Sequence, residues 1–444
     1  MRARIAVISL AIVLIGAACG NAGSSSSSDT TLPPSSGPTT TVSQADLQKN
    51  LPVNAPGVTS NEIKVASVVA KSNNPTGSYG PLVDGIKAYF AMVNGSGGIY
   101  GRKLVLAYDH DDQFGSNRQV VQQSLAQDSA FATFIATTLF TGADVLARAN
   151  QPVFMWNINP EFAGHPTFFA NVPALCFTCA GHGAPALAKQ LGATKVGVLA
   201  YGIAQQSKDC AQGTKNSFAK YPTAQVVFFD DSLGYEQQLG PQVTQMKQKG
   251  VTLVLTCFDL QESFTLGKEM AKQGMNAVQE LPNGYDPEFI SKNASVMEGD
   301  IVSPVFTALE NTPQIPEIQK LYKYAAQTGV QVHELTAVGW QIAAEFYAGL
   351  AAAGPNFSQA KVVAALNAMT NFSDNGFMQP VNWTTGHIDP EKDPSALPPN
   401  ECGNSVKVES GKFVPVFGQP GKPWVCFKRS DPTVDNPTYT SFAG

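Results

Sequence analysis

From about Ser60 onward the chain repeats one pattern: a short apolar run, then an amphipathic stretch of helical length. The runs are "IKVASVV", "KLVLAY", "ATFIA", "PVFMW", "KVGVLA", "QVVFF" and "VTLVLT". Between them the spacing predicts helices near 81–94, 116–128, 142–150, 182–191, 208–220, 236–249 and 261–273. Runs apolar on both faces belong to strands covered on both sides, and strand-helix alternation supplies that cover with a parallel sheet. The rhythm occurs twice, with a break near 165–180. The expected fold is therefore α/β, with two doubly wound parallel-sheet lobes, and 444 residues are enough for two cores. The C-terminal third changes character. Long helices are expected at about 316–328, 335–353 and 359–369, followed by Pro-rich, hairpin-like segments containing Trp383 and Trp424. These pieces show no strand set of their own and are expected to complete the two lobes rather than build a third.

Such an architecture often holds a cofactor, but the loops that would do so are missing. Neither G-x-x-x-x-G-K-[ST] nor a G-x-G-x-x-G after a strand occurs. No G-x-S-x-G elbow is present, and the five histidines show no metal-ligand spacing. A formal charge of −5 gives no footprint for nucleic acid. No cofactor, metal site or catalytic residue is expected, and the chain reads as a binder rather than an enzyme. Ligands of open α/β sheets sit beyond the carboxyl ends of the strands. In a two-lobed protein those ends can face each other across a cleft. The loops there are 70–80, 109–114, 137–142, 156–162, 201–207, 257–261 and 282–286, which are rich in Ser, Thr, Asn, Asp, Tyr and Trp. That lining suits a small polar or amphipathic ligand.

The N-terminus carries targeting information. Arg2 and Arg4 precede an apolar stretch, Ile5 to Ile15, too short to span a bilayer, which needs about 20 residues. Gly16, Ala17 and Ala18 lead to Cys19. This resembles a bacterial lipoprotein signal (1–18), with cleavage before Cys19 and a lipid on its thiol, although Gly16 stands where Leu is usual. A Ser/Thr/Pro/Gly-rich tether is expected to follow, the whole spanning 19–59. The other six cysteines suit an oxidising compartment. Cys402 and Cys426 flank a hairpin-like region and are expected to be bridged. The pairing of Cys176, Cys179, Cys210 and Cys257 stays open.

Three stretches carry a wider resemblance. "PTGSYGPLVDGIKAYFAMVNGSGGIYGRKLVLAYDHDDQ" resembles a strand, T-G-x-x-A-x-x-G, a helix ending I-N-A-x-G-G-I-N-G-R-K, a strand and D-D. "TGADVLARANQPVFMW" is similar to S-S-G-A…G-V-P, and "NGYDPEFI" to G-x-D-G-x-x-P-x-F. Together, over about 61–415, they resemble the leucine/isoleucine/valine-binding-protein family. These are type 1 periplasmic binding proteins that feed ABC importers. The resemblance implies two lobes joined by a three-segment hinge: 60–171 plus 306–374, and 172–305 plus 375–444. It places Tyr79 at the first lip and gives Thr141 the hydroxyl that meets a ligand carboxylate. Asn157 and Asn159 lie in the next loop. Phe258, Asp259, Tyr285 and Asp286 are the candidates from the second lobe. Each has a plainer reading: Thr141 as a helix cap, Trp156 as core, Tyr285 and Asp286 as a turn closed by Pro287.

The chain departs from the family pattern at Asn283, where a carboxylate for an amino-acid ammonium is usual. An unpaired buried ammonium is costly. The expected ligand is therefore not a typical branched-chain amino acid; an amide, an aromatic acid or another small carboxylate fits. The expectation is an extracytoplasmic lipoprotein that captures such a solute and delivers it to an ABC permease. The alternatives are a ligand-sensing receptor without an importer, and an exported hydrolase with an unrecognised site.

Overall fold

The computed structural model describes residues 43–443. The signal segment, Cys19 and the tether as far as residue 42 lie outside the described residues. Residues 43–59, which the sequence reading places in the tether, lie on the first lobe. Leu47 is buried, and the buried Arg102 guanidinium donates to the carbonyls of Leu51 and Thr59 at 2.7 Å each.

The first sheet contains β1 (Glu62–Val69), β2 (Lys103–Asp111), β3 (Thr133–Ala136), β4 (Val153–Met155) and β5 (Phe168–Ala170). They run parallel in the order β2-β1-β3-β4-β5. After β5 the chain crosses to a second set: β6 (Lys195–Tyr201), β7 (Gln225–Leu233), β8 (Leu253–Cys257), β9 (Val278–Glu280) and β10 (Ile301–Val302). The C-terminal part adds β11 (Asn400–Gly403), β12 (Ser405–Glu409), β13 (Lys412–Val416), β14 (Trp424–Lys428) and β15 (Thr438–Thr440). The second sheet has the order β13-β12-β10-β9-β8-β6-β7, parallel except for the hairpin β12-β13 on one edge. The doubly wound reading holds for both lobes.

The C-terminal region departs from expectation in one respect. It does have a strand set of its own, the antiparallel sheet β11-β14-β15. Val425 and Phe427 on β14 bury against Ala186 and Tyr221 of the second lobe, so this sheet is a cover and not a third core. Cys402 faces Cys426 across β11 and β14, and the two are bonded as expected. The remaining pairs are Cys176–Cys179 and Cys210–Cys257.

The helix Glu334–Ala353 returns to the first lobe and is buried from Glu334 to Ala351. Its Phe346 meets Phe134 and Phe154 edge-on at 5.8 and 5.3 Å. Two glycines let it touch the helix Gly80–Gly95: a Cβ on Gly339 would stand 2.0 Å from the Leu82 carbonyl oxygen, and one on Gly85 2.1 Å from that of Thr336. Trp383, past the 374/375 boundary drawn from sequence, also lies on the first lobe. It meets Phe169 at 5.3 Å and donates to the buried Glu345 at 2.5 Å.

Buried carboxyls give the fold a pH dependence. Burial pushes Asp300 up to about 8, although it accepts hydrogen bonds from Gln279. Burial and then the charge of Glu317 do the same to Asp374, and burial holds Glu334 at about 7. The unfolded carboxyls titrate near ~4, so above that pH the native state binds more protons and loses stability as pH rises. His387, depressed by burial to about 4, acts oppositely below the usual histidine range of ~6.5. The melting temperature is therefore expected to fall between about pH 6.5 and 9. Asp300→Asn should melt above wild type at the alkaline end, with the gain shrinking toward the acid end. A gain independent of pH would contradict this.

Candidate functional site

Strand ends decide which side chains meet. β1 ends at Val69, and the following loop brings Thr76 and Tyr79 over the end of β3. β3 ends at Ala136, so Thr137 and Thr138 are the first residues to leave it. The buried Tyr79 hydroxyl lies 2.8 Å from the Thr76 hydroxyl and 2.9 Å from that of Thr138. Its ring stands edge-on to Trp156, just past β4, at 5.1 Å. Asn159 donates through Nδ2 to the Thr138 carbonyl at 3.0 Å, which leaves its buried Oδ1 without a protein partner.

The second lobe offers a matching wall. Tyr201, the last residue of β6, donates to the Asp259 carboxylate at 2.5 Å. Its ring packs 4.8 Å from Phe258 and 4.5 Å from Tyr235. Asp259 also caps the helix Leu260–Gln273, accepting from the Glu262 backbone at 3.0 Å. Burial first, and then the charges of Asp259 and Glu236, push the Glu262 carboxyl up to about 7.

The two walls touch. Gln206, in the first turn of the helix Gln205–Lys220, donates across to the Thr138 carbonyl at 2.9 Å. Phe114 meets Tyr235 edge-on at 5.9 Å. Burial raises the Tyr79 hydroxyl, and the Asp259 charge adds to the shift from across the gap. Burial, then Tyr79 and Asp259, push Tyr235 up to about 12.

Of the residues singled out from sequence, Tyr79, Asn159, Phe258 and Asp259 come together here. Thr141 does not. It is exposed, its hydroxyl accepts the Arg118 backbone N–H at 3.2 Å, and Arg118 pairs with Asp144. β3 ends at Ala136, so Thr138, not Thr141, stands at the strand end beside Tyr79. Asn157 turns toward the first crossover, donating to the Pro173 carbonyl at 2.8 Å. Tyr285 is fully buried and stacks on Phe413 at 4.5 Å, and its hydroxyl donates to the Glu310 carboxylate. Its carbonyl accepts from the Glu334 backbone at 2.8 Å, which pins the second lobe to the start of the long returning helix. Asp286 caps the helix Pro287–Lys292. Thr138, Gln206, Tyr201 and Tyr235 are not among the candidates named from sequence. The signal available was position: Thr138 and Tyr201 stand at the carboxyl ends of apolar runs.

Two parallel-sheet lobes whose strand-end loops meet over shared hydroxyl, amide, aromatic and carboxyl groups define a two-lobed binding protein. The model of the periplasmic binding protein family matches residues 62–393, and the chain belongs to that family. It is thus a solute-binding protein of the extracytoplasmic space. No curated protein matches it. Solved structures share the fold. A fatty acid ABC transporter substrate-binding protein from Thermomonospora curvata superposes with a TM-score of 0.66 at 16% identity, covering 85% of this chain and 95% of its own. A branched-chain amino acid ABC transporter protein from Thermus thermophilus with bound valine gives 0.66 at 12%, covering 83% and 97%. A solute-binding protein from R. palustris in complex with benzoate gives 0.63 at 14%, covering 80% and 96%.

Proposed function

We propose that this protein captures a small amphipathic solute between its two lobes and hands it to an ABC permease, while a lipid on Cys19 holds it to the membrane. Binding, not turnover, is the activity. The observation that carries the reading is the meeting of the two strand-end walls, with Gln206 of one lobe bonded to Thr138 of the other and Phe114 edge-on to Tyr235. Hinge closure over such a site buries the solute and presents a distinct closed form to a membrane partner. The structural neighbours named for fatty acid, valine and benzoate give the range of solutes that this fold accommodates. A thermal-shift screen over amino acids, amines, amides and aromatic and fatty acids tests capture, because a solute that binds only the native form raises its stability. At least one class should raise the melting temperature in proportion to the logarithm of its concentration; no response from any class would oppose the reading. Among the described residues no helix is long and apolar enough to cross a membrane, so the anchor is tested at Cys19. Cys19→Ser should move the protein from the membrane fraction to the medium or leave uncleaved precursor, and unchanged fractionation would oppose lipidation.

A further inference from the structure

The second lobe carries two buried carboxyls, Asp259 and Glu262, in the wall that meets the first lobe. Asn283 is exposed, in a left-handed turn at φ 52. Asp259 is buried in the wall that faces Tyr79, with the rings of Tyr201, Tyr235 and Phe258 around it. Glu262 follows it one helical turn on, 6% exposed, with Oε1 unpartnered. No ion pair among the described residues involves Asp259, Glu262 or Glu236. Two basic groups of the first lobe are already engaged, Lys71 with Asp109 and Arg118 with Asp144, each at 2.6 Å.

Buried carboxylates without a counter-charge are costly, and a cation placed among aromatic faces beside one relieves that cost. A second observation gives the cation its form. Asn159 is 2% exposed and its side-chain orientation is set by the bond to Thr138, so its unpartnered Oδ1 is an acceptor. Glu262 Oε1 accepts as well when its carboxyl is ionised. A ligand that answers both carries N–H donors, which a quaternary ammonium lacks. At the first lip the unpartnered Asn74 Nδ2 is a donor, and it suits a neutral acceptor elsewhere on the solute. Resting on the capture reading above, we propose that the solute carries a protonated amine, seated against Asp259 beside the packed rings of Tyr201 and Tyr235, and no carboxylate paired to a basic side chain.

Four probes of one shape test this by calorimetry on the whole protein: isoamylamine, isovaleramide, isovalerate and leucine. Isoamylamine is leucine without its carboxylate. It should bind at least about tenfold more tightly than the amide or leucine, with isovalerate weakest. Asp259→Asn should erase the amine's advantage, and Asn remains a good helix cap, so the variant is expected to fold. Glu262→Gln gives an independent second reading and should reduce the same advantage. Isovalerate or the amide binding as well as the amine, or an amine preference that persists in both variants, would overturn the proposal. So would a screened solute without a basic nitrogen whose binding is lost in Tyr79→Ala; capture would then stand and the amine would fall. Binding of no solute of any class would remove both.

Discussion

Replacing both Cys210 and Cys257 with serine should destabilise the protein by about 4 kcal/mol in the chain-entropy account, more than the loss of any other cross-link in the chain. The bond joins residues 47 apart, whereas Cys402–Cys426 joins residues 24 apart and Cys176–Cys179 only 3. The bond also positions the site. Cys210 lies one turn beyond Gln206 on the same helix, and Cys257 ends β8 two residues before Asp259. Ser207 ties the same corner, donating to the Cys257 carbonyl at 2.6 Å and accepting from the Tyr201 backbone at 2.8 Å. The double variant should therefore melt several degrees lower and bind its solute more weakly, because the helix carrying Gln206 can then drift from the end of β8 that leads into Asp259. Calorimetric melting of wild type and variant, each with and without reductant, decides this. Equal melting temperatures, or a wild type indifferent to reductant under conditions that break the bond, would contradict it.

Tyr79→Ala should cost the protein about 100-fold or more in solute affinity, equivalent to ~2.7 kcal/mol. The substitution removes a buried ring that leans on Trp156 and a hydroxyl shared with Thr76 and Thr138. It also uncovers the Thr138 position that Gln206 reaches from the other lobe. Thr141→Ala should leave affinity within about twofold, since its hydroxyl serves the start of the helix Asn117–Gln127. Tyr285→Ala should act chiefly on stability, through the lost packing on Phe413 and the orphaned Glu310. Titration of the three variants separates these roles. A Tyr79→Ala protein that binds as wild type does, or a Thr141→Ala protein that loses binding, would place the site elsewhere.

The fold was legible because burial on both faces leaves a plain trace. Runs such as "KVGVLA" and "VTLVLT" became central strands of the second sheet, and the amphipathic stretches between them became its helices. The short strands β5, β9 and β10 left no such trace, because their neighbours in the sheet, not their composition, make them strands. The sheet β11-β14-β15 was missed for a related reason: a disulfide and a docked face hold it, not a core of its own. At the candidate site, Tyr79 and Asp259 could be singled out from sequence because each follows closely on an element that could be read. Thr141 stands apart from these groups because similarity carries a residue type along the chain, while β3 ends at Ala136 and places Thr138 at the strand end. Tyr285 is packed on Phe413 and stands apart from them, and an aromatic in a strand-end loop reads the same in sequence whether it lines a cleft or packs inside.

The central claim, that a solute is held between the two lobes, is tested most directly by hydrogen–deuterium exchange with and without the solute that most raises the melting temperature. Protection should appear together at Thr76–Gly80 and Thr137–Thr138 on the first lobe and at Tyr201–Ser207 and Phe258–Glu262 on the second. Protection confined to one lobe, or centred on the small cavity of the second lobe lined by Glu280, Glu401 and Phe427, would contradict it.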